Sequence, residues 1–109
     1  MKEFKFCPDW AYEFPGAVTV CDRKGFIVYM NSESKKQFVK YGGEQLMGTN
    51  LIDCHPEPSR TLLLQMLEKP FENKYMTEKN GQKKLVVQAP WIEEGTFLGV
   101  VELSVFLPE

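Results

Sequence analysis

The chain reads as an α+β domain built on one antiparallel sheet. Three observations predict this. Two short β-patterned runs, Ala17 to Asp22 and Phe26 to Met30, flank the turn-forming run Asp22-Arg-Lys-Gly25. Three longer β-patterned runs fill the chain after Pro70, and Asn80-Gly81, a strong hairpin signal, joins the first two. Between the two groups lies a block whose apolar spacing and glycines suit short helices. Strands, then helices, then strands is the order of an α+β fold.

Residues 1–14 carry five aromatics, Phe4, Phe6, Trp10, Tyr12 and Phe14. Pro8-Asp9 suits the start of a short helix, with Trp10 and Phe14 four apart on one face. The segment reads as a cap over the domain's own sheet, as a dimer surface, or as both. The opening hairpin comes next, with Gly25 free to take positive φ. Asn31-Ser32 supplies a helix cap directly after its second strand.

Ser32 to Tyr41 predicts a helix, ended by Gly42-Gly43. Glu44 to Met47 fits one helical turn, and Asn50 to Pro56 is too mixed to assign. Glu57-Pro58 opens a helix, since proline suits a first turn. Leu62, Leu63, Met66 and Leu67 give that helix one apolar face, and Lys69-Pro70 stops it. The last strands run from Phe71 to Lys79, Lys83 to Ile92 and Phe97 to Phe106.

Composition narrows the function. At 109 residues the chain holds one domain with a real core. A net charge of −2 gives no basic field for nucleic acid or an anionic membrane surface. No apolar run approaches the roughly 20 residues that span a bilayer, and the N-terminus lacks a signal-peptide core. Three widely spaced cysteines, Cys7, Cys21 and Cys54, fit free thiols and a cytoplasmic location. No phosphate loop, metal cluster or nucleophile–base set with an orienting group can be read, so an enzyme is not expected.

The ordered motifs resemble a PAS domain, the small sensory module of signalling proteins. They are Pro15-Gly-Ala-Val-Thr-Val-Cys-Asp22, Gly25-Phe-Ile-Val-Tyr-Met-Asn31 and Tyr41-Gly-Gly-Glu-Gln-Leu-Met-Gly48. Cys54-His-Pro56, Asn80-Gly81, Pro90, Gly95 and Gly99 follow in order. The resemblance divides the chain into a cap, 1–14, and a PAS domain, 15–107. It implies a five-stranded antiparallel sheet with the first strand central and short helices across one face. It also implies a ligand or cofactor space between the two layers, and an output such as a kinase, a cyclase or a transcription factor.

Within that space the resemblance points Thr19 and Cys21 inward from the first strand, and Met76, Val86, Gln88 and Val101 inward from the last three. It places Gly99 and Leu103 with Val101 in that inward set. Met66 would line the same space from the long helix. Gln88 is then an amide among apolar neighbours, which needs a partner from the helix-block backbone or from a ligand. The opposite parity of Leu85, Val87, Ala89 and Trp91 is also apolar, so the outer sheet face needs cover. Phe6, Trp10, Phe14 and Trp91 are the expected dimer surface.

His55 is the only histidine. It is the one possible haem donor, and it also reads as a residue that orients the following helix. Its neighbour Cys54 reads as a small buried residue or as a reactive thiol before a helix. The adjacent pair has the wrong spacing for zinc. A flavin is not expected, because Leu51 occupies the adduct-cysteine position of the flavin-binding branch. The expectation is a sensory domain that binds a small ligand or a protein partner as a homodimer. The alternatives are a haem sensor using His55 and a ligand-free dimerisation module.

Overall fold

The computed structural model describes residues 9–54 and 57–108. A short helix α1 (Asp9–Tyr12) leads into strands β1 (Ala17–Asp22) and β2 (Ile27–Met30). Helices α2 (Ser32–Gln37), α3 (Leu51–Cys54) and α4 (Ser59–Glu68) follow, with two 3-10 turns, Val39–Tyr41 and Gly43–Leu46, between α2 and α3. Strands β3 (Asn73–Lys79), β4 (Gln82–Glu93) and β5 (Thr96–Phe106) close the chain. All strand pairs are antiparallel, in the order β2-β1-β5-β4-β3. The first strand is therefore interior, but the middle position belongs to β5.

Local chemistry explains the turns. The Asp22 carboxylate accepts from the Lys24 and Phe26 amides at 2.9 and 3.0 Å, and Gly25 takes φ 93° between them. Asn80 and Gly81 both adopt positive φ, as a two-residue hairpin requires. The predicted helix over 32–41 is shorter than its pattern. It breaks at Phe38, whose carbonyl accepts from both the Tyr41 and Gly43 amides at 2.9 Å. The Tyr41 bond spans three residues and is that of a 3-10 turn, while the Gly43 bond spans five and closes the reversal made by Gly42 and Gly43 at positive φ.

Two apolar clusters lie on opposite faces of the sheet. On one face Cys21 and Val100 pack against Leu63, Met66 and Leu67 of α4, with Leu51, Ile52 and Leu62 at the margin. The i, i+3, i+4 spacing of the α4 residues is what puts them together. On the other face Val18, Val20 and Trp91 pack with Phe14, Tyr29, Leu98, Val101 and Leu103. At Gly99 the β1 backbone leaves no room for a side chain on β5. A Cβ there would collide with the Cys21 carbonyl oxygen.

This register corrects the expected orientation of two strands. Cys21 pairs with Val100 and Thr19 with Glu102, so Val100, Glu102 and Ser104 face the helices. Val101 and Leu103 lie on the outer face with Trp91. Met76 pairs with Leu85 on that outer parity and is 54% exposed. Tyr75 takes the inward parity in its place. Both parities of β5 are apolar, so alternation carried no signal. The pairing with β1, made between residues some eighty apart, decides the face.

Candidate functional site

One row of residues crosses the whole sheet on its helix-facing side. From edge to edge it runs Asn73, Gln88, Glu102, Thr19 and Met30. Four of the five are polar. In the row beside it, Tyr75, Val86, Ser104 and Ala17 pair in register. On the other side Cys21 and Val100 form the apolar floor beneath α4.

The polar row is closely bonded. Asn73 Nδ2 donates to Gln88 Oε1 at 2.9 Å, and Gln88 Nε2 donates to Glu102 Oε2 at 2.9 Å. An ionised carboxylate only accepts, so Glu102 forces Gln88 to present its NH2 group. The Gln88 oxygen then faces Asn73. Gln88 is 7% exposed, and its amide is satisfied by two sheet neighbours and not by the helix-block backbone. Thr19 and Ser34 share a hydroxyl–hydroxyl bond of 2.5 Å, which fastens β1 to α2. Ser104 Oγ donates to Gln37 Oε1 at 3.1 Å and fastens β5 to the same helix.

Electrostatics follow burial. The Cys21 thiol is pushed up to about 11 by burial, opposed by a backbone hydrogen bond at Val100 and assisted by the charges of Asp22 and Glu102. It is a protonated packing group at neutral pH. The Tyr75 phenol is also raised, first by burial and then by the Glu102 charge. Glu102 itself is half-buried, and among the described residues no lysine or arginine pairs with it.

Of the expected pocket residues, Cys21 and Met66 meet in one apolar cluster. Thr19, Val86 and Gln88 are buried on the same sheet face. Val101 and Met76 are on the other face, as described above. His55 and Phe6 lie outside the described residues, as does the side chain of Cys54. Trp10 is 70% exposed and meets Phe14 edge-on, with ring centroids 6.0 Å apart. Sequence reasoning missed Asn73, Glu102, Ser34 and Gln37. Asn73 carried a signal, because counting outward from Asn80-Gly81 places it opposite Gln88. A separate depression of about 640 Å³ opens at the β3–β4 hairpin between Gln37, Thr77, Lys84 and Phe106. It lies on the same sheet parity as the polar row, two rows along from it, where Thr77, Lys84 and Phe106 pair in register.

No protein-family model and no curated protein matches the chain. Solved structures do. The VqmA dimer of Vibrio cholerae, a LuxR-type receptor, superposes with a TM-score of 0.68 at 16% identity, over 91% of this chain and 49% of that one. The PAS domain of the histidine kinase ThkA gives 0.65 at 15% identity, over 82% and 96%. The Aer2 receptor of Vibrio cholerae, described as a dual PAS-haem oxygen sensor, gives 0.63 at 16% identity, over 85% and 95%. The fold is that of PAS domains. Within the PAS frame the polar row occupies the inner face of the sheet, beneath the helical cover. No helix among the described residues is long and apolar enough to cross a membrane.

Proposed function

We propose that this PAS domain is a cytoplasmic sensory module that holds a small ligand between its sheet and its helices and passes the change to a signalling partner. The observation that carries this reading is the row Asn73–Gln88–Glu102, closed by Thr19–Ser34, on the helix-facing side of the sheet. A core that served stability alone gains nothing from a half-buried carboxylate that loses hydration with no cation among the described residues in return. A ligand shifts such a module only by binding one of its states better than the other. The proposal assigns no catalysis to the chain. The kinase and receptor neighbours support a signalling role.

Native mass spectrometry of the purified protein tests the reading. A bound small mass, or a saturable rise in melting temperature with an added ligand, is the expected result. Apo protein that no compound stabilises overturns it. Haem would require His55, and a Soret band lost in His55→Ala is the signature of that alternative.

Self-association is the second reading, favoured by the outer sheet face. Val101 and Leu103 are only half-buried there, and Trp10 stands exposed beside Phe14. A homodimer through Trp10 and Phe14 covers that apolar surface, whereas Trp91, expected in the same interface, is buried against Val18 and Val20 of its own domain and has little surface to offer.

A further inference from the structure

Resting on the sensory reading above, we infer that the ligand of the inner sheet face is a small molecule bearing a cationic or N–H-rich group, such as an amine, an amidine or a protonated ring nitrogen, and that Glu102 receives it. The direction of the hydrogen-bond chain carries the inference. Asn73 donates to Gln88, and Gln88 donates to Glu102. Every donor in the chain points toward the carboxylate, which ends it as a pure acceptor. A carboxylate has about four lone-pair positions, and among the described residues one side-chain donor, Gln88 Nε2, reaches Glu102.

Position sharpens the point. Glu102 lies on β5, the middle strand, with Gln88 and Thr19 beside it in register. Lys35, on α2, is engaged by Tyr12 and Glu44 and not by Glu102. A half-buried carboxylate with no cation beside it among the described residues selects by charge. It rewards a donor and repels an acid, because like charge in a partly dry site has little water to screen it. The Tyr75 phenol is raised first by burial and then by the Glu102 charge, which therefore reaches across to β3. The same field disfavours a carboxylate or phosphate ligand on this face. The amide chain behind Glu102 fixes its orientation, so the site is preorganised for a planar donor.

Benzamidine, benzamide and benzoate, matched in size but cationic, neutral and anionic, test the inference on the purified 109-residue chain. The expected order of thermal stabilisation and of calorimetric affinity is benzamidine, then benzamide, with benzoate inert. Glu102→Gln keeps an acceptor oxygen for Gln88, removes the charge and turns the second oxygen into an NH2 donor. It is expected to weaken benzamidine tenfold or more while leaving benzamide within threefold. Glu102→Asp keeps the charge and is expected to keep the order of the three, which covers the case in which Glu102→Gln folds poorly. Benzoate binding as tightly as benzamidine, or benzamidine binding unchanged in Glu102→Gln, overturns the inference and leaves the sensory reading standing. A mass that co-purifies is decided by its chemistry: an amine or amidine supports the inference, and an acid overturns it. No response to any probe, together with no co-purified mass, overturns both.

Discussion

The Asn31 side chain donates from Nδ2 to the Ala11 carbonyl across 2.9 Å, and so joins the start of the helical block to a segment twenty residues earlier. The same nitrogen donates to the Gly16 carbonyl at 2.8 Å, and Oδ1 accepts from the Val18 and Ser34 amides at 2.9 Å each. One fully buried amide thus caps α2, closes β1 and anchors α1. Asn31→Ala strands the Val18 and Ser34 amides, removes the Asn31 bond to the Gly16 carbonyl and leaves the Ala11 carbonyl with the Phe14 amide at 3.3 Å, and a loss of about 3 kcal/mol is expected. Asn31→Asp keeps both acceptor bonds but faces the two carbonyls with an oxygen. Urea midpoints measure both variants. An Asn31→Ala midpoint within error of wild type rules out the anchoring role.

Gly99 tests the sheet register. Any side chain there meets the Cys21 carbonyl and the Asp22 Cα. The contact is with backbone, so no rotamer change relieves it. Gly99→Ala is expected to cost roughly 3 kcal/mol or more. Gly48, whose Cβ position is open, gives the comparison. Gly48→Ala should lose only the smaller strain of positive φ, about 1 kcal/mol. Equal losses in the two variants contradict the close approach of β1 and β5.

The elements most legible in the sequence are those set by neighbours in the chain. Asn80-Gly81, the Asp22 turn, the Asn31 cap and the apolar face of α4 each depend on residues within a few positions of one another. What was illegible depends on long-range pairing. Val100 and Val101 are the same residue type, so nothing local says which faces α4. Glu102 alternates with Gly99, Val101 and Leu103, the expected inward set, and only its pairing with Thr19 turns it inward. Gln88 was visible as an inward amide, but its acceptor lies on the next strand. The early end of α2 was hidden because Phe38, Val39 and Tyr41 tolerate a helix. The reversal at Gly42 and Gly43 outweighs that tolerance.

Cys21 predicts a pH dependence. Its thiol rises from an ordinary 9.0 to about 11 in the folded protein, chiefly through burial. The unfolded chain therefore releases this proton first. The stability that Cys21 contributes is complete below about pH 9 and is lost as pH climbs toward 11. Between pH 8 and 10.5 wild type should lose roughly 1–2 kcal/mol more than Cys21→Ala. Tyr75, also raised, leaves some slope in both proteins. With Cys7 and Cys54 changed to serine, Cys21 should label with a thiol reagent no faster than the protein unfolds. Rapid labelling at pH 8 would falsify its burial.

Two tryptophans separate folding from association. Trp91 is 9% exposed and packs with Val18 and Val20 at the centre of the outer cluster. Trp10 is 70% exposed and touches Phe14 by its edge alone. Trp91→Ala removes a large buried ring, so about 3–5 kcal/mol of folding stability should go. Trp10→Ala leaves the core intact, and its effect on folding should stay within about 0.5 kcal/mol. If the outer face is a dimer surface, Trp10→Ala nevertheless weakens self-association, because exposed aromatics carry much of an interface's energy. Sedimentation velocity across a concentration series reads that term apart from denaturant unfolding. A dimer as tight in Trp10→Ala as in wild type would remove the N-terminal aromatics from the interface and leave Trp10 without a role in assembly.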